Sequence, residues 1–256
     1  MHGRFAEAYQ HHVRVRDVLV DAKGPEDERT LESQRFVAAD LRYLGRFGEA
    51  MEIDRRCREV LLRRRGADDP MTLQQARMCT IDLRLTGDAR AARVLDRDTY
   101  GHHVAIYGGC HEKSLGSLAA LAVDEMECGD YALARELARR HVTLIAKTFG
   151  EDFPGLVESL SVLSVMERKA GDHHGALELS AEALQRFDRH YGRTHPFSIS
   201  AALNHAVNLR RTGELHESIN LAQQTADHYL EMFGPDTPTP RSPTPASQSV
   251  CASTAR

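Results

Sequence analysis

LRYLGRFGEA, residues 41–50, contains the pattern that decides the fold. A helix end, a glycine, an aromatic residue and a small residue predict two antiparallel helices joined by a short turn, because glycine accepts the left-handed backbone that stops a helix. The same signal recurs every 42 residues, and each glycine is followed five positions later by alanine or serine. The turn glycines are Gly3, Gly45, Gly87, Gly129, Gly171 and Gly213.

A second glycine series lies halfway between the members of the first. Its members are Gly24, Gly66, Gly108, Gly150, Gly192 and Gly234. Proline follows four of them at the fourth position and presets the first turn of the next helix. A 42-residue period predicts a solenoid of helix pairs in which each unit buries its apolar face only against its neighbours. We therefore expect an all-α fold, an alpha-solenoid.

The predicted array occupies residues 1–233. A lone second helix at 4–22 precedes five helix pairs, at 30–64, 72–106, 114–148, 156–190 and 198–232. Because the lone helix lacks its pair, we expect Phe5, Tyr9, Val15 and Leu19 to form an open apolar face that favours self-association. Residues 234–256 are rich in Pro, Ser and Thr and are expected to be disordered. We call positions that recur every 42 residues a phase of the repeat. One apolar phase of the second helices is predicted to be core: Ile53, Leu95, Leu137, Leu179 and Leu221.

The unit resembles the 42-residue tetratricopeptide repeat (TPR) of the kinesin light chain type. The resemblance covers roughly residues 2–238 and rests on the helical turn at 41–50 and on linkers such as GEDFP, residues 150–154. More narrowly, AADLRYLG at 38–45 and LTGDARAARVLDRDT at 85–99 resemble repeats of actinobacterial NTPase-plus-TPR proteins, including the TPR component of FxSxx-COOH peptide systems. Four positions depart from the pattern: Glu28 and Glu112 replace the linker proline, and Glu125 and Glu167 replace a leucine.

Composition excludes several function classes. With 33 Lys and Arg against 37 Asp and Glu, the net charge of -4 argues against a nucleic-acid partner. No apolar run approaches the roughly 18 residues of a membrane helix, so we expect no membrane partner and a cytoplasmic location. The five cysteines are expected to be reduced, with Cys79 in the core. No nucleophile–base set or metal-ligand spacing is present, which predicts no enzyme, no cofactor and no metal.

The resemblance implies that the first helix of each pair lines a concave groove in a right-handed superhelix. Carried through the repeat, the third position before the turn glycine gives an arginine ladder with one exception: Arg42, Arg84, Met126, Arg168 and Arg210. Neighbouring groove phases add Arg35, Tyr43, Arg77, Lys169 and Arg211. Guanidinium groups fork onto carboxylates, so an acidic segment or a free C-terminal carboxylate is the predicted ligand.

Two interpretations of the ladder remain open. It binds a peptide, or it consists of solvated arginines that suit helix C-termini. The first interpretation predicts that the ladder has no intramolecular acidic partners and that Met126→Arg leaves the fold intact. For the whole protein we expect a peptide- or protein-binding scaffold, with a structural or oligomerising module, or a fragment of a larger NTPase–TPR regulator, as the alternative.

Overall fold

The computed structural model describes residues 2–233, with side chains from residue 5 to residue 231. Within that range the chain is all helical and has no strand, which confirms the predicted alpha-solenoid fold class. The predicted disordered tail, 234–256, lies outside the described residues. The helices are α1 (His2–Lys23), α2 (Glu28–Tyr43), α3 (Phe47–Arg65), α4 (Pro70–Leu85), α5 (Ala89–Tyr107), α6 (Glu112–Glu127), α7 (Tyr131–Phe149), α8 (Pro154–Lys169), α9 (His173–Tyr191), α10 (Pro196–Thr212) and α11 (Leu215–Phe233).

The two glycine series have different backbone roles. Gly213, inside a helix pair, is left-handed with φ 95° and ψ -1°. Gly66, between pairs, has φ 87° and ψ 175°, a region open essentially to glycine alone. Every series member from Gly24 to Gly213 has a positive φ, whereas Gly3 lies inside α1 and not in a turn before it.

Helix starts follow from capping. Pro70 is the first residue of α4, two positions earlier than predicted, and the Asp69 side chain accepts a hydrogen bond from the Met71 backbone N–H at 2.9 Å. At α2, where the linker proline is replaced by Glu28, the side chain of Asp27 caps the helix in the same way. At α2 and α4 an acidic cap therefore defines the helix start, with the proline at α4 and without it at α2.

The chain divides into two compact units, residues 1–109 and residues 110–256. The first unit holds α1–α5 and the second, as described, α6–α11; within each unit consecutive helices pack against one another. Alanines five residues after the turn glycine allow this close packing, because Ala50 and Ala176, for example, have no exposed surface. No helix among residues 2–233 combines the length and apolarity needed to cross a membrane.

Two predictions about apolar residues need correction. The phase predicted as core is only half-buried, because its members lie at the edge of the helix interfaces; Ile53, for example, touches two separate clusters of the first unit. At the lone helix α1, Phe5 stacks on Tyr43 with ring centroids 4.6 Å apart, and Tyr9 packs against the core of α2 and α3. Among the large apolar side chains of residues 5–23, those that remain exposed are Val15, by 52%, and the unpredicted Val18, by 66%. Cys79 is buried, as predicted.

Candidate functional site

Arg42, in the last turn of α2, is almost fully buried, with 7% of its side chain exposed. Its Nη1 donates to Asp54 Oδ2 on α3 at 2.6 Å and to Asp82 Oδ1 on α4 at 2.9 Å. The Gln75 side chain donates to Asp54 Oδ1 at 2.7 Å. Burial alone would lower the pKa of Arg42, but the two carboxylates raise it overall. We call Arg42, Asp54 and Asp82 the Arg42 joint, because they connect one helix pair to the next.

Arg84 is held in the same way one repeat later. Its side chain is 6% exposed, and its Nη1 lies 3.3 Å from Asp96 Oδ2, the repeat equivalent of Asp54. The prediction that the ladder has no intramolecular acidic partners is therefore wrong at Arg42 and Arg84. The reason is physical, since this phase lies between two helices where a guanidinium loses water and needs carboxylate partners.

At the corresponding place between α1 and α2, a histidine forms the contact. His12 Nδ1 lies 2.5 Å from Asp40 Oδ2. His12 occupies the phase of Asp54, and Asp40 the phase of Asp82. The carboxylate on the first helix of a pair, here Asp40, is thus present even where its partner is a histidine and not a ladder arginine.

At Met126, both the ladder arginine and the charged residues around it are replaced by apolar residues. Its side chain is 5% exposed and packs in one apolar cluster with Ala138 and Met166. These two residues stand at the phases of Asp54 and Asp82. We call Met126, Ala138 and Met166 the Met126 joint; all three of its positions are apolar where the Arg42 joint is charged.

Within residues 5–231, Arg168 has only neutral acceptors. Its Nη1 donates to Asn204 Oδ1 at 2.9 Å and to Asn208 Oδ1 at 2.5 Å, both on α10. Asn208 stands at the phase of Asp82. Burial lowers the pKa of Arg168, and the positive charges of Arg211 and Arg210 lower it further.

Arg210 and Arg211, at the end of α10, are both exposed. Among the residues with described side chains, neither forms an ion pair, and Arg168 forms none either. We call Arg168, Arg210 and Arg211 the cationic cluster. Lys169 is not part of it, because its Nζ lies over the Tyr131 ring at 5.9 Å from the centroid.

The other predicted groove residues belong to the first unit. Arg35 and Arg77 are half-buried and form no ion pair among residues 5–231, and burial lowers the pKa of Arg77. Tyr43 is 37% exposed and is stacked on Phe5.

Sequence reasoning missed the contacts of two polar positions. Glu167 is only 2% exposed, and it accepts from Arg139 Nε at 2.6 Å. Asn204 holds Arg168 and donates to Ser164 Oγ at 2.7 Å. The sequence signal is a polar residue at a phase that is apolar in all other repeats for Asn204, and in all but the repeat of Glu125 for Glu167. No group of three or more His, Cys, Asp or Glu residues is arranged to hold a metal in the described part of the chain.

Comparisons with known proteins agree with this architecture. The tetratricopeptide repeat family model matches residues 114–189 and 163–231. The crystal structure of nearly identical TPR-like repeats from a Podosopora anserina protein described as a kinesin light chain is 20% identical, with a TM-score of 0.68 over 79% of this chain and 95% of that one. BtubC (BKLC) from P. vanneervenii is 14% identical, with a TM-score of 0.68 over 94% of this chain and 93% of its own.

RapI in its apo form is 12% identical, with a TM-score of 0.62 over 97% of this chain and 68% of its own. No curated protein matches the sequence. Residues 114–231 therefore match the tetratricopeptide repeat family by sequence, and the described helices have the fold of kinesin light chain-like repeat structures.

Proposed function

We propose that this protein is a non-catalytic scaffold that binds a partner protein or peptide, and that the cationic cluster receives an acidic segment or a C-terminal carboxylate of that partner. TPR folds are generally protein–protein interaction scaffolds, which gives the coarser part of the proposal. The finer part rests on one observation: three neighbouring guanidinium groups have no carboxylate partner among the described residues.

The electrostatics favour an anionic ligand. Arg168 is half-buried, and the charges of Arg210 and Arg211 lower its pKa, so the three cations repel one another in a partly desolvated place. A carboxylate placed among them relieves this repulsion and accepts forked hydrogen bonds from two directions. A C-terminal carboxylate supplies this charge on an unhindered chain end.

The first unit contributes secondary candidates only. Arg35, Arg77 and Tyr43 remain proposed ligand contacts there, because Arg35 and Arg77 form no ion pair with a described residue. We leave Arg42 and Arg84 out of the ligand site, since their guanidinium groups are buried against carboxylates. Met126 is left out because it lies in an apolar cluster.

The test is a titration with a short acidic peptide, prepared with a free C-terminal carboxylate and as the C-terminal amide. Arg210→Ala/Arg211→Ala should weaken binding of the free acid by about tenfold or more, because each charge-assisted bond is worth about 1.5 to 3 kcal/mol. Affinity should also fall as salt rises, since the cluster is partly exposed. The matched control is Arg189→Ala, which removes an exposed arginine of α9. Equal binding of acid and amide, or equal binding by both variants, would contradict the proposal.

A second candidate function is self-association through α1. It is favoured by the exposure of Val15 and Val18, 52% and 66%, on one helix. Sedimentation of the full chain with and without Val18→Lys tests it, and a monomer at all concentrations rejects it. We further propose a cytoplasmic location and a role within an NTPase–TPR regulator; support for the latter is the sequence resemblance of residues 38–45 and 85–99.

A further inference from the structure

Inside each unit, the second helix of a pair has one side that faces the next helix pair. In the first unit, Met51 Sδ on α3 lies 3.8 Å from Thr86 Oγ1, which follows α4. In the second unit, Ser180 Oγ on α9 lies 2.8 Å from His205 Nδ1 on α10. These two phases of the repeat therefore mark the surface on which the next first helix packs.

On α11 the same phases hold Ile219, which is exposed, and Ala222, which is half-buried. Ile219 is 63% exposed. Leu215 and Leu230, exposed by 58% and 44%, lie on the same side of the helix, as does Ala226. We call these five residues the terminal stripe. All of them except the half-buried Ala222 are exposed, and an apolar surface of this kind marks an interaction site.

Arg210 provides the polar part of this surface. Its repeat equivalents Arg42 and Arg168 both donate to the first helix of the next pair. Arg168 uses two acceptors four residues apart, Asn204 and Asn208, and therefore requires a helical partner with this spacing. Arg210 has the same phase but no ion pair within the described residues.

We infer that the terminal stripe and Arg210 bind an amphipathic helix of a partner protein. The equivalence with the internal joints defines its chemistry: apolar residues at helical spacing against the stripe, and Asn or Asp at two positions four residues apart against Arg210. Asp227 lies three residues before Leu230, at the edge of the stripe, and residues 215–233 contain no Lys or Arg, so a basic residue of the partner fits beside its apolar face. The inference extends the proposed function in naming the partner, and it shares only Arg210 with the cationic cluster.

A helix of this chain serves as the probe. The peptide of residues 196–212 has the sequence of α10, which packs on α9 at the equivalent place and carries both asparagines. We expect the fluorescently labelled peptide to bind the full-length protein and to gain helicity on binding. The peptide with Asn204→Ala and Asn208→Ala should bind about tenfold more weakly, because Arg210 then loses its acceptors.

Ile219→Glu should weaken binding of the same peptide by about tenfold or more, since it places a charge against the apolar side of the peptide. The matched control is Gln224→Glu, which adds the same charge at an exposed position on the opposite side of α11. Because Ile219 is exposed, both variants should keep the wild-type melting temperature. The peptide could instead displace the chain's own α10. Binding of that kind would not depend on residue 219, so a loss of binding in Ile219→Glu excludes it.

Three results would overturn the inference: no binding of the peptide, equal binding by Ile219→Glu and Gln224→Glu, or a wild-type dimer that Ile219→Glu dissociates. The last would assign the stripe to a second copy of this chain. The acidic peptide of the previous section separates this failure from that of the proposed function. Ile219→Glu should bind that short peptide with its free carboxylate as wild type does, whereas Arg210→Ala/Arg211→Ala should not.

Discussion

At the Arg42 joint one guanidinium lies between the carboxylates of Asp54 and Asp82, and at the Met126 joint Ala138 and Met166 stand at the positions of both carboxylates. The three positions have changed together between the two units. A charge in a dry helix interface needs its partners, and carboxylates without the cation would be as costly as the cation alone. The comparison shows that this phase of the repeat is a structural contact between helix pairs before it is a ligand site.

The cationic cluster is the informative exception. Arg168 retains the arginine, but its acceptors are amides, so the positive charges of Arg168, Arg210 and Arg211 are not neutralised by described residues. Within the second unit, one position of the ladder has therefore become apolar, at Met126, and another, at Arg168, has kept a net charge. Only the latter is suited to an anionic partner.

The largest expected effect is the loss of the cation from the Arg42 joint. Arg42→Met leaves Asp54 and Asp82 buried without their partner, which should lower the free energy of unfolding by about 3 to 5 kcal/mol. Urea unfolding measures the change. Arg211→Met, on an exposed arginine, is the matched control. A loss below about 1 kcal/mol for Arg42→Met would show that the pair with Asp54 and Asp82 contributes little.

The reverse substitution tests the apolar joint. Met126→Arg buries a longer, charged side chain among Ala138, Met166 and their neighbours, so we expect a loss of about 2 to 4 kcal/mol, contrary to the sequence-based prediction of an intact fold. Adding Ala138→Asp should recover part of the loss by restoring one carboxylate. Thermal and urea unfolding of the single and double variants measure both steps. An unchanged stability of Met126→Arg would restore the original prediction.

A smaller effect should appear as a pH dependence of the stability of the first unit. Burial, and to a smaller extent the charge of Asp54, raise the pKa of Asp82 to about 7 against the attraction of Arg42. The folded chain therefore binds this proton more tightly than the unfolded chain, and the stabilisation is lost as pH rises from about 4 to about 7.

Asp82→Asn, which copies Asn208 of the second unit, should remove this dependence. Comparing urea unfolding at pH 5 and pH 8, we expect the wild type to lose stability on the order of 1 kcal/mol more than the variant does. The same pH dependence in both proteins would mean that another group carries it.

The smallest expected effect is on the exposed arginines of the cationic cluster. Arg210→Ala and Arg211→Ala should each change the free energy of unfolding by less than about 0.5 kcal/mol, because neither side chain has an ion pair with a described residue. Their thermal unfolding should overlay that of the wild type. A loss as large as that of Arg42→Met would place them in the structural class of ladder residues.

Repetition made the helices predictable, but not the role of each repeated residue. The glycine period located the turns because positive φ is a local demand that Gly45 and Gly66 meet in any environment. The ladder phase at Arg42, by contrast, is decided by the next helix pair, 40 residues away, where Asp82 is the acceptor. The signal was present in the sequence, since the polar or apolar character of this phase changes together with that of two others, but a single repeat does not reveal it.

The apolar faces taught the same lesson. Phe5 and Tyr9 resembled open residues when the missing helix alone was considered, yet they pack on α2 and on Tyr43. The open stripe on α11 could be located only after the phases of Met51 and Ser180 had shown which side of a second helix faces the next pair.

The most direct measurement is a thermodynamic cycle that converts the Arg42 joint into the Met126 joint. It compares urea unfolding of wild type, Arg42→Met, Asp54→Ala/Asp82→Met, and the triple variant. Gln75 donates to the backbone carbonyl of residue 54 at 3.2 Å, and we expect this bond to survive the side-chain substitutions. Each partial variant should lose several kcal/mol, and the triple variant should return to within about 1 kcal/mol of wild type, because no buried charge is left without its partner. Losses that simply add in the triple variant would contradict the account.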